Sequence, residues 1–137
     1  SNVTDLSEFT IPLGRRFRAL KIWFLLRSEG LEKLRNMIRD HIEWSVTLSK
    51  KLKKLPGVEI VTEPILSLFT FRYIKNDGTN LNALNESILR QINEEGKIYL
   101  TPTTIDNKYV IRFVTGTFET TKQDVDFAYE VIRSKQN

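Results

Sequence analysis

The residue types that most often carry catalysis are sparse in this sequence. It contains no cysteine and a single histidine, His41, which excludes a thiolate nucleophile, a cysteine metal site and a histidine cluster within this chain. His41 lies on an apolar stripe with helical spacing, and only Asp40 or Glu43 is near enough in sequence to orient its ring. We therefore expect a hydrogen-bonded, half-buried histidine rather than a catalytic base.

The carboxylates and glycines are also not spaced as in a known catalytic or phosphate-binding motif. The pairs Glu94–Glu95 and Asp124–Asp126 stand near predicted helix ends, where capping and termination explain them better than paired acid–base catalysis. The 6 glycines are scattered, without the spacing of a phosphate-binding or dinucleotide-binding loop. The residues alone predict no catalytic group, no cofactor-binding residue and no metal ligand in this chain.

Length and charge are those of one ordinary domain. The chain has 137 residues and a net charge of +4, and its longest apolar run, Ile22 to Leu26, is too short to span a membrane. We expect a cytoplasmic domain that binds neither membrane nor nucleic acid. Nucleic-acid binding stays open as an alternative because of two basic clusters, which are Arg15, Arg16 and Arg18, and Lys50, Lys51, Lys53 and Lys54.

The periodicity of apolar residues predicts the order helix, helix, strand, strand, helix, strand, strand, helix. This order favours an antiparallel sheet covered by helices. The first helix is apolar on nearly every side, which predicts burial on more than one face. The predicted helices are Arg15 to Glu29, Leu31 to Leu55, one capped by Asn80 or Asn82 and ended by Gly96, and one that opens at Thr120 to Asp124. The predicted strands are Val58 to Val61, Ser67 to Tyr73, Ile98 to Thr101 and Tyr109 to Val114.

The segment from Ile11 to Phe24 carries a family resemblance. Its sequence, IPLGRRFRALKIWF, resembles a segment of the group II pyridoxal-phosphate-dependent amino acid decarboxylases, the family of dopa, tyrosine, tryptophan and histidine decarboxylases. The resemblance covers about residues 4 to 133. It continues through residues 31–48, SLFTFR at 67–72, KIYLTP at 97–102 and IRFV at 111–114.

The resemblance implies an α+β fold, the small C-terminal domain of a fold-type I enzyme. Such a domain has a four-stranded antiparallel sheet with helices on one face, and its other face turns towards a large domain. Residues 1–10 are then an extension from that large domain or a tag, and residues 11–137 form the small domain. We expect the open sheet face to be apolar along the strands Ser67 to Tyr73 and Tyr109 to Val114.

The resemblance also implies an activity, namely the removal of CO2 from an aromatic L-amino acid by a lyase. Pyridoxal phosphate and the lysine that binds it covalently belong to the large domain, so the fragment alone is expected to be inactive. The implied partners are that large domain in the same polypeptide, a second copy in a homodimer, and the amino acid substrate. A free-standing α+β interaction module without enzymatic activity stays open as the alternative.

Two residues match family positions that meet the substrate. Gly14 matches a small residue presented to the substrate side chain, although a glycine that simply fits the turn into the first helix remains an equal alternative. Arg112 matches an arginine that points at the substrate carboxylate in related glutamate decarboxylases. A planar bidentate donor suits that use, and an ion pair across a domain interface is the alternative.

Overall fold

The computed structural model describes residues 18–136, and the chain divides into two compact units, residues 1–35 and 36–137. Helix α1 spans Arg18–Glu29 and helix α2 spans Leu31–Lys53. Between them, Gly30 has a φ of +79°, a left-handed conformation that glycine adopts without steric cost. None of the described helices is long and apolar enough to cross a membrane.

Helix α1 differs from the sequence-based expectation in its burial. Its apolar residues are exposed rather than buried on several faces; they include Leu20, Ile22, Trp23, Phe24 and Leu26. The apolar pattern of α1 indicates a surface suited to burial, and this surface is exposed in the structure. The prediction of multiple burial is therefore wrong for this chain as described.

The remaining elements all belong to the second unit. Strands β1 and β2 are followed by helix α3, strands β3 and β4, and helix α4, which is the predicted order. Every neighbouring pair of strands is antiparallel, and the sheet order is β1-β2-β4-β3. The bounds are Val58–Ile65 (β1), Leu68–Tyr73 (β2), Leu81–Glu94 (α3), Thr101–Ile105 (β3), Lys108–Val114 (β4) and Lys122–Ser134 (α4).

One face of the sheet packs against helices, which confirms the α+β expectation. Alternate residues of β2 and β4 enter the core, including Phe69, Phe71 and Phe113, because successive side chains of a strand point to opposite faces. The rings of Phe69 and Phe113 are stacked with centroids 5.2 Å apart. The helices contribute the other side of the core, with Leu48 and Leu52 from α2, Ile88, Leu89 and Ile92 from α3, and Val125, Ala128, Val131 and Ile132 from α4.

Asn85 of helix α3 replaces a missing strand partner. The β2–β4 pairing ends at Phe71 and Ile111. Beyond that point the amide and carbonyl of Tyr73 have no partner in β4, and they form hydrogen bonds with the Asn85 side chain instead. The Tyr73 amide donates to Asn85 Oδ1 at 2.7 Å, and Asn85 Nδ2 donates to the Tyr73 carbonyl at 2.8 Å. Asn85 is fully buried, so these bonds satisfy backbone groups that water cannot reach.

Two further asparagines fix the same helix to the sheet. Asn82 Oδ1 accepts from the Tyr109 amide at 2.9 Å, and its Nδ2 donates to the Asn107 carbonyl at 2.9 Å. Asn93 bonds both the amide and the carbonyl of Leu100, at 2.9 and 3.0 Å. Directional bonds, in addition to apolar contact, therefore set where α3 lies on the sheet.

The two outer strands of the sheet each contain a proline. Pro64 lies in β1, whose pairing with β2 is irregular between Thr62 and Ile65, and Pro102 lies in β3. The sequence-based prediction ended the third strand at Thr101, before Pro102, and that boundary is wrong. An outer strand tolerates proline because one side of its backbone needs no hydrogen-bond partner.

Helix α4 begins with a reciprocal cap that should make stability depend on pH. The Thr121 hydroxyl accepts from the Asp124 amide, while the Asp124 carboxylate accepts from the Thr121 amide and hydroxyl at 2.8 and 2.7 Å. The hydroxyl bond, followed by the amide bond, lowers the pKa of Asp124 below its ordinary value. The carboxylate therefore stabilises the fold above its unfolded-state pKa, and this contribution is lost as the pH falls through the folded-state pKa.

We expect Asp124→Asn to lower the midpoint of thermal unfolding at neutral pH, and the difference from the wild type to shrink below about pH 4. Glu119→Gln is the control, because the Glu119 carboxylate makes no hydrogen bond to any residue between 18 and 136. A difference between wild type and Asp124→Asn that stays constant from pH 7 to pH 3 would contradict the cap as its cause.

Candidate functional site

Arg112 lies in the middle of the sheet face that carries no helix. Its neighbours across the strands are Thr70 of β2 and Thr101 of β3, and its side chain is exposed. No carboxylate among residues 18–136 forms an ion pair with it. The guanidinium borders an open hollow of about 330 Å3, which is also lined by Thr62, Glu63, Ile65, Leu68, Thr70, Thr103 and Ile105.

Four of the polar side chains near Arg112 are already paired with each other. Arg72 Nε donates to Glu59 Oε2 at 2.6 Å, and the hydroxyls of Thr62 and Thr70 are 2.8 Å apart. The Thr70 amide also donates to the Thr62 hydroxyl at 3.1 Å. The Arg72 charge is thus neutralised within the sheet, while the Arg112 charge is left for a ligand or another surface.

This arrangement can bind an anion but cannot transfer a proton. A guanidinium stays charged at any physiological pH and offers paired N–H donors that match a carboxylate. Binding and orientation of a carboxylate are the chemistry that Arg112 supports. The sequence had not indicated Thr62 and Thr70 as its neighbours, because only the strand register brings them next to it.

The open face is less apolar than the sequence predicts. Leu68 and Val114 are apolar neighbours at one end of it, but Thr70, Arg72 and Arg112 occupy the middle. The alternation of the two strands does continue onto this face, with polar residues where the prediction placed apolar ones. The expectation of an apolar face is therefore correct for Leu68, Val110 and Val114 but wrong for Thr70, Arg72 and Arg112.

The other predicted site residues do not gather around Arg112. Gly14 lies outside the described residues. His41 is buried on α2 with its ring centroid 5.5 Å from that of Trp44, and it makes no hydrogen bond to another described residue. His41 is therefore more deeply buried than the half-buried position expected from the sequence, and its ring contacts an aromatic neighbour.

The carboxylate pairs serve structure, as the sequence predicts. Glu95 pairs with Lys135, and this hydrogen bond is the main cause of the lowered pKa of Glu95. Asp126 bridges Lys51 and Lys122 at 2.8 and 3.1 Å, and these two lysines lower the pKa of Asp126. The lowered pKa values of Glu95 and Asp126 do not suit a general acid, and Lys51 of the basic cluster is partly neutralised.

The described residues do not fit a covalently bound pyridoxal phosphate. That cofactor needs a lysine amine directed into an enclosed site, and every lysine between residues 18 and 136 is exposed or half-buried at the surface. Nor does that part of the chain contain a group of three or more histidine, aspartate or glutamate side chains that could hold a metal ion. If such a cofactor is used, residues beyond those described must hold it.

A family profile decides which proteins this chain is related to. The profile described as "Pyridoxal-dependent decarboxylase conserved domain" matches residues 1–74, which is more than half of the chain. The chain belongs to the pyridoxal-dependent decarboxylase family. The match confirms the resemblance inferred from the sequence, and members of this family use the cofactor that its name states.

Curated members of the family are similar over almost the whole chain. Tryptophan decarboxylase 2 of Oryza sativa subsp. japonica is 36% identical over an alignment of 137 positions, which covers 98% of this chain and 28% of that protein. Aromatic-L-amino-acid decarboxylase of Rattus norvegicus is 40% identical over 131 residues, or 96% and 26%. The chain therefore spans little more than a quarter of the decarboxylases it matches.

A solved structure from the same family has the same fold. The crystal structure of Oryza sativa TDC with PLP and tryptamine superposes with a TM-score of 0.82 and 27% sequence identity. The superposition covers 98% of this chain and 30% of that one. Four helices and a four-stranded antiparallel sheet are thus a recurring part of a larger decarboxylase fold.

Proposed function

We propose that this chain is the C-terminal part of a pyridoxal-phosphate-dependent decarboxylase that removes CO2 from an aromatic L-amino acid. One observation carries the proposal. Relatives named tryptophan, tyrosine and aromatic-L-amino-acid decarboxylase are 33 to 40% identical to this chain over 95 to 98% of its length. Such an identity over so much of the chain supports a shared activity as well as a shared fold.

The proposal divides the work between two parts of one polypeptide. Residues 11–137 form the small domain, and residues 1–10 lead into it from the larger part. That larger part binds pyridoxal phosphate, since the described lysines do not fit the cofactor. A cytoplasmic homodimer with an amino acid substrate completes the proposed assembly, and the small domain contributes binding groups rather than reacting ones.

Two residues of this chain are the proposed substrate contacts. Arg112 holds the substrate carboxylate, which is supported by its exposed guanidinium and by the lack of a carboxylate partner among the described residues. Gly14 faces the substrate side chain, which is supported by its place in the IPLG segment. Both contacts affect binding and orientation, and neither residue takes part in proton transfer.

The experiment that tests the function compares the full-length protein with this 137-residue chain. We expect the full-length protein, loaded with pyridoxal phosphate, to release CO2 from tryptophan, tyrosine or dopa and to yield the corresponding amine. The chain alone should give no CO2 and no absorbance band of a lysine-bound cofactor after dialysis. An aldehyde product would assign the protein to the activity of its relative named phenylacetaldehyde synthase, which is 35% identical. A gene no longer than this chain would favour the free-standing interaction module.

A substitution at Gly14 tests its proposed contact with the substrate side chain. Gly14→Ser adds a hydroxymethyl group, and a bulky indole substrate should then lose more transition-state binding than a smaller ring, by roughly 1 to 3 kcal/mol. The measurement is kcat/KM of the full-length enzyme for tryptophan, dopa, tyrosine and histidine. If the ratios between these substrates stay the same, Gly14 is only a turn residue.

A further inference from the structure

The sequence Asn85-Glu86-Ser87 in helix α3 matches the acceptor motif for N-linked glycosylation. The motif is an asparagine, any residue except proline, and a serine or threonine. The chain contains it twice, at Asn2-Val3-Thr4 and at Asn85-Glu86-Ser87. An acceptor asparagine belongs in a surface loop, whereas Asn85 lies inside a helix and is fully buried. The motif and the fold therefore make conflicting demands on the same side chain.

The nitrogen atom that carries a glycan in such motifs already uses both of its hydrogens in the folded domain. Asn85 Nδ2 donates to the Tyr73 carbonyl and to the Leu81 carbonyl, each at 2.8 Å. A bond from Nδ2 to a sugar replaces one of these two hydrogens. The sugar carbon would then point at a carbonyl oxygen at hydrogen-bond distance, where a carbon substituent does not fit. The folded domain cannot accept a glycan at Asn85.

The growing chain has no such protection, because much of the structure around Asn85 is synthesised after it. The hydroxyl of its partner Tyr73 donates to the Ile132 carbonyl at 2.8 Å, and the helix that carries Asn85 is bonded to the Tyr109 amide of β4. Residues 86–137 leave the ribosome later than Asn85, so β3, β4 and α4 are still missing when the motif emerges. An enzyme that glycosylates growing chains therefore meets Asn85 before the fold can bury it.

We infer that glycosylation at Asn85 and folding of this domain exclude each other. The donor is a lipid-linked oligosaccharide diphosphate. A bond forms between Asn85 Nδ2 and the first sugar carbon, the bond from that carbon to the phosphate oxygen breaks, the lipid diphosphate leaves, and the amide releases one proton. The modified side chain can no longer satisfy both the Tyr73 and the Leu81 carbonyl, and the glycan cannot enter the core in which these groups are buried.

The consequence is a restriction on where this protein can be made. The native domain forms in a compartment that lacks the oligosaccharide donor, and a chain sent into the secretory pathway is trapped unfolded by its own acceptor motif. This gives a physical reason for the proposed cytoplasmic location. The inference depends on the burial and the bonds of Asn85 and does not depend on the proposed decarboxylase activity.

The first test offers the folded, full-length protein to a purified oligosaccharyltransferase with a lipid-linked oligosaccharide. Phe118→Asn is the control, because it creates the same motif with Glu119 and Thr120 in the loop before α4, where Phe118 is 43% exposed. We expect Asn85 to react about a thousandfold more slowly than this loop site, since only unfolded molecules offer it. Glycan occupancy is measured by mass spectrometry of the released peptides. Equal rates at the two sites would overturn the inference.

The second test translates the full-length protein, preceded by a cleavable secretory leader, in a cell-free system with endoplasmic-reticulum microsomes. We expect a glycan on Asn85 and rapid digestion of the glycosylated protein by trypsin. Ser87→Ala removes the motif but keeps Asn85, and it should restore resistance to trypsin in the same microsomes. Ser87 makes no hydrogen bond within the described part of the chain, and alanine favours a helix. Every other acceptor motif is unchanged in this variant, so glycans elsewhere cannot explain the difference.

Three results in the microsomes would contradict the inference. A glycan on Asn85 in a trypsin-resistant protein would show that the fold tolerates it. An unmodified Asn85, when Phe118→Asn is modified beside it, would show that the chain folds before the transferase acts. A Ser87→Ala protein as sensitive to trypsin as the wild type would assign the misfolding to the compartment. Decarboxylation is measured separately, so none of these results bears on the proposed activity.

Discussion

Asn85→Leu is expected to lower the free energy of unfolding by about 3 to 5 kcal/mol, because it leaves the amide and carbonyl of Tyr73 buried without hydrogen-bond partners. The side chain makes three bonds of 2.7 to 2.8 Å, two to Tyr73 and one to the Leu81 carbonyl. A single domain is stable by about 5 to 15 kcal/mol in total. The variant should therefore lose a large fraction of its stability, as measured by urea denaturation followed by circular dichroism.

The matched control is Asn82→Leu in the same helix. Asn82 makes two comparable bonds to backbone, one in β4 and one in the turn before it, but its surroundings are exposed, so water can replace the lost partners. We expect this variant to lose less than about 1 kcal/mol. Equal losses for the two substitutions would show that burial of the Tyr73 peptide groups is not what makes Asn85 important.

Arg112→Gln is expected to lower kcat/KM of the full-length enzyme by roughly tenfold to a hundredfold, since a hydrogen bond to a charged group contributes about 1.5 to 3 kcal/mol. Arg112→Lys should recover only part of this loss, because an ammonium group cannot form the paired contacts of a guanidinium. Lys108→Gln is the control. Lys108 lies on the same strand and, by alternation, on the same face, and its substitution should leave kcat/KM unchanged.

Inhibition by the product amine separates the two roles open to Arg112. Tryptamine or tyramine lacks the carboxylate, so a residue that binds this group should not affect amine inhibition. We expect Arg112→Gln to weaken binding of the amino acid substrate and to leave the inhibition constant of the amine unchanged. A parallel loss for both ligands, together with a lower unfolding midpoint, would indicate an ion pair between domains instead.

The order of the elements could be predicted because local signals agree with the fold. The apolar stripe from Leu31 ends at Pro56-Gly57, and α2 ends at Lys53, within a few residues of that stop. Asn80 caps α3 through its side chain, as one of the two predicted caps. In each case the residue that ends the helix acts on backbone a few positions away, so the sequence itself contains the information.

The features that were not predicted depend on contacts between distant segments. Pro102 indicates a loop unless its strand is known to lie at the edge, which only the order β1-β2-β4-β3 reveals. The bond between Asn85 and Tyr73 likewise needs β2 and β4 to separate after Phe71. The alternation of residues in β4 predicts that Arg112 points to the open face of the sheet. Its threonine neighbours could not be predicted, because they depend on the register between the strands. Local patterns determine elements, and long-range pairing determines the site.

The prolines of the outer strands determine how this sheet can associate. Pro64 and Pro102 each remove an amide donor from an edge, and the β1 edge is further distorted by its bulges. Neither edge offers a regular row of donors and acceptors on which a foreign strand could extend the sheet into a fibre. Another protein surface must instead be bound by side chains on the open face. Because side chains change one codon at a time, the choice of neighbour can evolve without altering the backbone that presents it.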